Sequence, residues 1–294
     1  MLLIQKKEFI ARLGWAISSR SGFAAGKIGD SEKQWMLQPI ARRRSQTGSA
    51  LRAYELSLKH HIFEQAALFP PDRDFFARFN AFYIPHVRNL DALGLFGALS
   101  EPIIIEHYAL NVPVMSFRDQ EPDRSIPNNP ALCYLQFFRD QRILIVTSQA
   151  DILVERANKE TFEAVWRKTG KPWFYPTSVE ALSFPYGWSP QAQAQYGNSL
   201  RLFETLAANM SKREFDVALI AAGGLGIPLA SAAKKVGKIG ISLGGHLQAL
   251  FGVIGRRWRE QEEWLKNYVT DAWIDMPDPR SDWSVTGADR GAYW

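Results

Sequence analysis

The sequence predicts an α/β protein whose parallel sheet is covered by helices on both faces. Three observations carry that reading. RILIVTS (142–148), FDVALIAAG (215–223) and KIGISLGG (238–245) are short apolar runs without polar alternation, as strands buried on both faces require. Segments with helical spacing separate them, and strands alternating with helices favour a parallel sheet. The runs end in the loops TSQAD, AAGGLGIP and SLGGHLQ, and an open parallel sheet binds its ligands at such strand ends. The expected architecture is therefore Rossmann-like.

Along the chain, AAGKIGDSEKQWM (24–36) is a small-residue, apolar run that breaks off at Gly29 and delivers Asp30, Ser31 and Glu32 at a strand end. In residues 48–69, Leu51, Tyr54, Leu58, Ile62, Ala66 and Phe69 fall at helical spacing, and Pro70-Pro71 closes that helix. Residues 78–110 read as a strand before Pro85, a short helix around 90–99 and a further helix starting near Glu101-Pro102. VMSFRDQEPDRSIPNNP (114–130), rich in Pro, Asp and Asn, reads as a linker, which sets a domain boundary near residue 128. Residues 1–128 then form an N-terminal α/β part carrying the acidic motif, and 129–294 a Rossmann-like half with an irregular tail, the two separate or merged in one compact domain. In the second half the strand 142–148 is followed by a helix over 150–170, a strand over 171–178 and a helix over 193–213. A strand over 215–223, a helix over 225–237 and a strand over 238–245 complete the pattern. The tail from 271 to 294 is rich in turn residues, and its Trp and Tyr residues suit packing on the body.

Composition narrows the function classes. With 294 residues, 46% of them hydrophobic, the chain buries a sizeable core. Its single cysteine, Cys133, excludes an internal disulfide framework and a multi-cysteine zinc site. No run reaches the roughly 18 apolar residues of a membrane span, and charges interrupt the apolar N-terminus, so neither a span nor a secretory signal is expected. The expected location is cytoplasmic. A net charge of +5 is concentrated in ARRRSQ (41–46) and GRRWR (255–259), runs suited either to an anionic ligand or to a solvated surface. They form no long basic stripe with stacking aromatics, so nucleic acid is not an expected partner.

Three groups of residues carry candidate chemistry. Gly223, Gly224 and Gly226 allow either close approach of backbone to a phosphate or tight packing, and the segment lacks the spacing of a dinucleotide fingerprint. Gly244 and Gly245 precede His246, either a ligand contact or base or a hydrogen-bonded structural residue. Arg256 and Arg257 follow as candidates for pairing with a diphosphate. Asp30 and Glu32, two apart on an extended backbone, would point to one side and share a hard cation, Mg²⁺ or Mn²⁺. The competing reading makes them the cap and first turn of a helix SEKQWMLQPIARR.

GKIGDSE resembles the R-F/I-G-D-G-E segment of bacterial GT-D-type glycosyltransferases. The C-terminal half resembles uncharacterised polysaccharide-locus members of that family, which carry GG-x-x-Q-x-x-FG-x-x-G-x-RW and end in YW. The matching residues are Gly244, Gly245, Gln248, Phe251, Gly252, Gly255, Arg257, Trp258 and Tyr293-Trp294. The resemblance implies that Asp30 and Glu32 form the metal- and nucleotide-sugar-supporting DxE pair, with Gly29 and Ser31 beside them. It further implies that residues 223–226 and 244–246 line the nucleotide cleft. Ser31 stands where the family often has glycine, and TSQAD departs from the His-Pro-Phe type sequence of closer relatives.

The expected activity is transfer of a sugar from a nucleotide-diphosphate sugar, a UDP-sugar first, to a saccharide or glycoconjugate acceptor. Glu106, His107 and His246 are the candidate bases. A lipid-linked acceptor would bring the protein to the inner face of the membrane as a peripheral partner. The alternative is a nucleotide-binding or scaffold protein of a polysaccharide assembly system that lacks transfer.

Overall fold

The apolar runs pair into a single seven-stranded sheet in the computed structural model, which describes residues 2–44, 48–122, 133–278 and 292. The expected boundary at 128, the tail beyond 278 apart from Ala292, Tyr293-Trp294 and the side chains of the ARRRSQ run lie outside the described residues. The strands are β1 (Phe23–Lys27), β2 (Ala92–Leu95), β3 (Val114–Ser116), β4 (Arg142–Thr147), β5 (Ser178–Leu182), β6 (Val217–Ala221) and β7 (Ile239–Ser242). They lie in the order β3-β2-β1-β7-β6-β4-β5, every pair parallel. Strands before and after residue 128 thus share one sheet, joined where β1 pairs with β7.

Alternation along each strand divides the core into two layers. Ile143, Ile145, Val217, Leu219, Ile239 and Ile241 face one layer, while Leu144, Val146, Ala218 and Ile220 face the other. The first layer is covered by α1 (Lys6–Ser18), which buries Phe9 and Leu13, and by α6 (Ala150–Glu155) and α7 (Lys159–Val165). The second is covered by α2 (Asp30–Arg44), α4 (Arg73–Arg88), α9 (Ser199–Ser211) and α10 (Gly226–Lys235). Gly240 lets α10 sit directly on β7, since a Cβ there would collide with the Ala230 backbone.

Between α2 and α4 the helix expected over 48–69 forms as α3 (Gly48–Ser57) running into a π-helical stretch, Leu58–Gln65. Two expectations in residues 78–110 are corrected. Pro85 lies inside α4, where Phe75, Phe79, Tyr83 and Val87 make a buried stripe at helical spacing that outweighs the lost hydrogen bond. Residues expected to be helical around 90–99 contain β2, whose ALGL is too short for its period to be legible. The helix near Glu101 forms as α5 (Ser100–His107).

In the second half, the helix over 150–170 splits into α6 and α7 because Asn158 caps the latter, accepting from the Thr161 N–H. The helix over 193–213 likewise splits at Gly197, whose φ of 69° ends α8 (Pro190–Tyr196), with Asn198 capping α9. The strand expected at 171–178 lies one segment later, at β5, while Trp173 and Phe174 pack into the core from an irregular stretch. After β7 come α11 (His246–Leu250), β8 (Val253–Ile254), α12 (Arg256–Arg259), α13 (Glu262–Asn267) and β9 (Ile274–Asp275). No helix among the described residues is long and apolar enough to cross a membrane.

One buried contact gives the fold a pH dependence. His86 on α4 meets the Ser231 hydroxyl of α10 at 2.9 Å and packs on Phe82 and Phe203. Burial, with Lys235 nearby, lowers its pKa to about 4. The folded state therefore resists a proton that the unfolded chain accepts: the stability is present above the unfolded value near 6.5 and is lost as pH falls toward 4. Linkage gives a loss of about 2 kcal/mol at pH 5. Urea denaturation at pH 7.5 and pH 5 should show this loss in the native protein and a reduced one in His86→Gln; equal losses would remove His86 as the cause.

Candidate functional site

Two reversals of strand order shape the site. The chain runs outward from β4 to β5 and returns to β6 on the other side of β4, and it runs outward from β1 through β2 to β3 before β7 takes the vacant side of β1. Crevices open at the carboxyl ends beside such reversals.

A pocket occupies the first of them. Its floor is Thr147 and Ala221, paired residues at the ends of β4 and β6, and its sides come from Gly223, Gly244, Gly245 and Gln248. Gly223 has φ 51°, and a Cβ there would collide with the Ala66 carbonyl, so glycine is needed where this loop meets the end of the π-helical stretch. Gly244 has φ 57° and turns the chain from β7 toward α11. The wall is aromatic: Tyr186 and Trp188 stack at 5.6 Å and 16°, and the Trp188 indole donates to the Phe63 carbonyl at 2.6 Å.

The DSE segment reaches this pocket through one hydrogen bond. The Ser31 hydroxyl donates to Oε1 of Gln65 at 3.0 Å, and Gln65 lines the pocket. Trp35, one turn along α2, is fully buried and packs against Gly224, so α2 is fixed to the loop after β6.

The segment itself is helical, which corrects the extended-backbone geometry expected for the acids. Asp30 and Glu32 both stand in the first turn of α2, which begins at Asp30 itself rather than being capped by it as the helical alternative had it, and so lie about 200° apart round its axis. The Asp30 side chain is 81% exposed and pairs with Lys33 at 2.6 Å. Glu32 folds back over Gly29, and burial pushes its pKa up to about 7 against the opposing pull of backbone N–H bonding and Lys27. A divalent cation that takes one or two carboxylates and completes its shell with phosphate and water would use Asp30, whose side chain is exposed but whose Oδ1 is paired with Lys33. The two acids do not form a chelate on their own, and the described residues hold no cluster of three or more His, Cys, Asp or Glu suited to a metal.

A charged group lies at the second reversal. Lys27, at the end of β1, pairs with Glu121 at 2.9 Å, and the same Glu121 oxygen lies 2.9 Å from Nε2 of His246. His246 begins α11 with its ring edge-on to Trp258 and Trp264. It is adjacent in sequence to the pocket residues Gly244 and Gly245 but does not itself line the pocket.

The remaining candidates sit elsewhere. Gly224 packs on Leu68 and Trp35, and Gly226 on Ser242, so both serve close packing outside the pocket lining. Arg256, exposed on α12, lies 3.6 Å from Glu260, and the Arg257 backbone N–H donates to the Ala292 carbonyl. Neither arginine lines the pocket. Glu106 and His107 close α5, with the His107 ring edge-on to Tyr108.

Sequence reasoning did not select Lys27, Gln65, Tyr186 or Trp188. A signal existed for three of them: Lys27 is the one charge ending the apolar FAAGK strand, and Tyr186 and Trp188 flank Gly187 in a short loop. No protein-family model, curated protein or solved structure matches the chain, and the site rests on the geometry described above.

Proposed function

We propose that the protein is a glycosyltransferase that takes a nucleotide-diphosphate sugar, a UDP-sugar first, in the cleft at the carboxyl ends of β4, β6 and β7. The observation that carries this reading is the hydrogen bond from Ser31 to Gln65, which ties an acidic turn to the rim of an aromatic pocket. An aromatic wall receives a base or sugar ring, glycine loops admit backbone close to phosphate, and a carboxylate waits at the rim. Asp30, with Glu32 behind it in the same turn, would hold Mg²⁺ or Mn²⁺, and such a cation supplies charge neutralisation to a departing diphosphate.

In the reaction an acceptor hydroxyl attacks the anomeric carbon, the bond from that carbon to the diphosphate oxygen breaks, and the hydroxyl proton passes to a base. His246, the first residue of α11 beside the Gly244-Gly245 turn, is the candidate base, its ring oriented by Glu121. Chemistry of this kind depends on positioning and electrostatic stabilisation, and the fixed elements around the pocket provide the former. A saccharide or glycoconjugate is the acceptor class, and a lipid-linked acceptor would place the protein at the inner face of the membrane.

A second reading, nucleotide binding without transfer, draws on the ion pair between Lys33 and Asp30, which sets a protein cation on the candidate metal ligand. Calorimetric titration with UDP, GDP and CMP, with and without Mn²⁺ or Mg²⁺, tests both. Cation-dependent binding that weakens at least tenfold in Asp30→Ala/Glu32→Ala is expected. Binding that ignores both cation and substitution, without sugar turnover, would favour the second reading, and no binding at all would remove the nucleotide site.

A further inference from the structure

The pocket and the charged group divide the cleft by charge. Among the described residues, the pocket is lined largely by apolar groups, Leu153, Leu202, Leu225, Met276 and aromatic rings, with amides, hydroxyls and glycine backbone between them, and with no Asp, Glu, Lys, Arg or His. It suits an uncharged group and offers a diphosphate no counter-charge. Arg256 and Arg257, the expected diphosphate partners, lie outside it.

Lys27 is the cation placed next to the pocket. Its Cε lies 3.9 Å from where a Cβ on Gly244 would stand, so the lysine stem runs beside the Gly244-Gly245 turn that the pocket shares. The side chain is 16% exposed and is held from two directions. Glu121, itself 1% exposed, takes one ammonium hydrogen at 2.9 Å, and the stacked Phe96 and Phe117 rings lie 5.9 and 5.4 Å from Nζ. An ammonium has three donors, so one bond to Glu121 leaves others for a ligand. The lysine stands at the carboxyl end of β1, beside the β1/β7 reversal, two strands from the β6/β4 reversal that holds the pocket. A carboxylate that fixes a cation in advance spares the ligand the cost of ordering a long side chain.

We propose that Lys27 is the diphosphate-binding cation of the donor site, and that the donor lies with its uncharged nucleoside against Tyr186 and Trp188 and its diphosphate over Gly244-Gly245 toward Lys27. The inference rests on the nucleotide-sugar reading of the cleft and adds a polarity and a residue to it.

The test compares diphosphate and nucleoside in the same proteins. UDP and GDP are titrated by calorimetry, and uridine and guanosine by saturation-transfer NMR, against the native protein, Lys27→Met, Lys27→Arg and Lys27→Met/Glu121→Gln. The last variant removes both charges together, so that no buried carboxylate is left unpaired if Lys27→Met alone fails to fold. In the Met variants a drop of about 10- to 100-fold in diphosphate affinity is expected, with nucleoside binding unchanged and partial recovery in Lys27→Arg. Undiminished diphosphate binding in folded Met variants, with native binding intact, would overturn the role of Lys27 while leaving the nucleotide reading in place. Equal loss of nucleoside and diphosphate would overturn the division of the cleft. Absence of binding to the native protein would overturn the nucleotide reading and the Lys27 role with it.

Discussion

Trp35→Ala is expected to cost about 3 kcal/mol of stability, near the lower end of the roughly 3–5 kcal/mol typical of deleting a buried indole. Trp35 is fully buried, edge-on to Phe79 at 5.9 Å and to Tyr83 at 5.3 Å, and its ring edge would be 3.0 Å from a Cβ on Gly224. Its loss opens a void between α2, α4 and the loop after β6. The value falls at the low end because the indole N–H has no hydrogen-bond partner among the described residues, and removing that buried donor recovers part of its desolvation cost. The consequence extends to the site, because Trp35 fixes the helix whose first turn carries Asp30 and Ser31. Nucleotide affinity should weaken in the folded variant as well. Urea denaturation measures the first effect, and a loss below about 1 kcal/mol would show that the void collapses without cost.

Glu32→Gln is expected to stabilise the protein at alkaline pH. The carboxyl has its pKa raised to about 7, chiefly by burial. A raised carboxyl contributes stability below its unfolded value near 4.5 and loses it as pH rises through 7, when the ionised form must be held in a partly desolvated site. Linkage puts the cost at about 3 kcal/mol at pH 8, and a neutral amide avoids it. The native protein should therefore lose stability between pH 4.5 and 8 relative to Glu32→Gln, with the variant the more stable at pH 8. A less stable variant at that pH would mean that the ionised carboxylate holds the turn together. A residue that costs the fold stability at neutral pH is the kind retained for function.

The parts of the fold legible in the sequence are those with a single physical explanation. RILIVT, VALIA and IGIS lie in the interior of a parallel sheet, where both faces must be apolar, and continuous apolar runs have few other uses. The α4 helix was obscured because Pro85 is a strong local breaker, whereas the aromatic stripe that overrides it acts through tertiary packing. The strand β2 was obscured by its length, and β5 by the aromatic KPWFY just before it, which is buried without being a strand.

The site was legible in a similarly partial way. Glycine loops at strand ends announce themselves, and Gly223, Gly244 and Gly245 do line the pocket. The meeting of Gln65, Trp188 and Ser31 depends on how the π-helical end, the β5 to α8 connection and α2 come together over long separations in sequence, which no local pattern encodes. The acids were seen, but their geometry follows from helix α2 starting at Asp30, so that neither acid lies on an extended backbone.

The most direct measurement of the central claim is a crystal structure of the protein with UDP and Mn²⁺. The account predicts the uracil against Tyr186 and Trp188, the diphosphate over Gly244-Gly245, and Asp30 at the cation. A nucleotide bound away from the carboxyl ends of β4, β6 and β7, or with its base over Lys27 and its phosphates in the aromatic pocket, would contradict it.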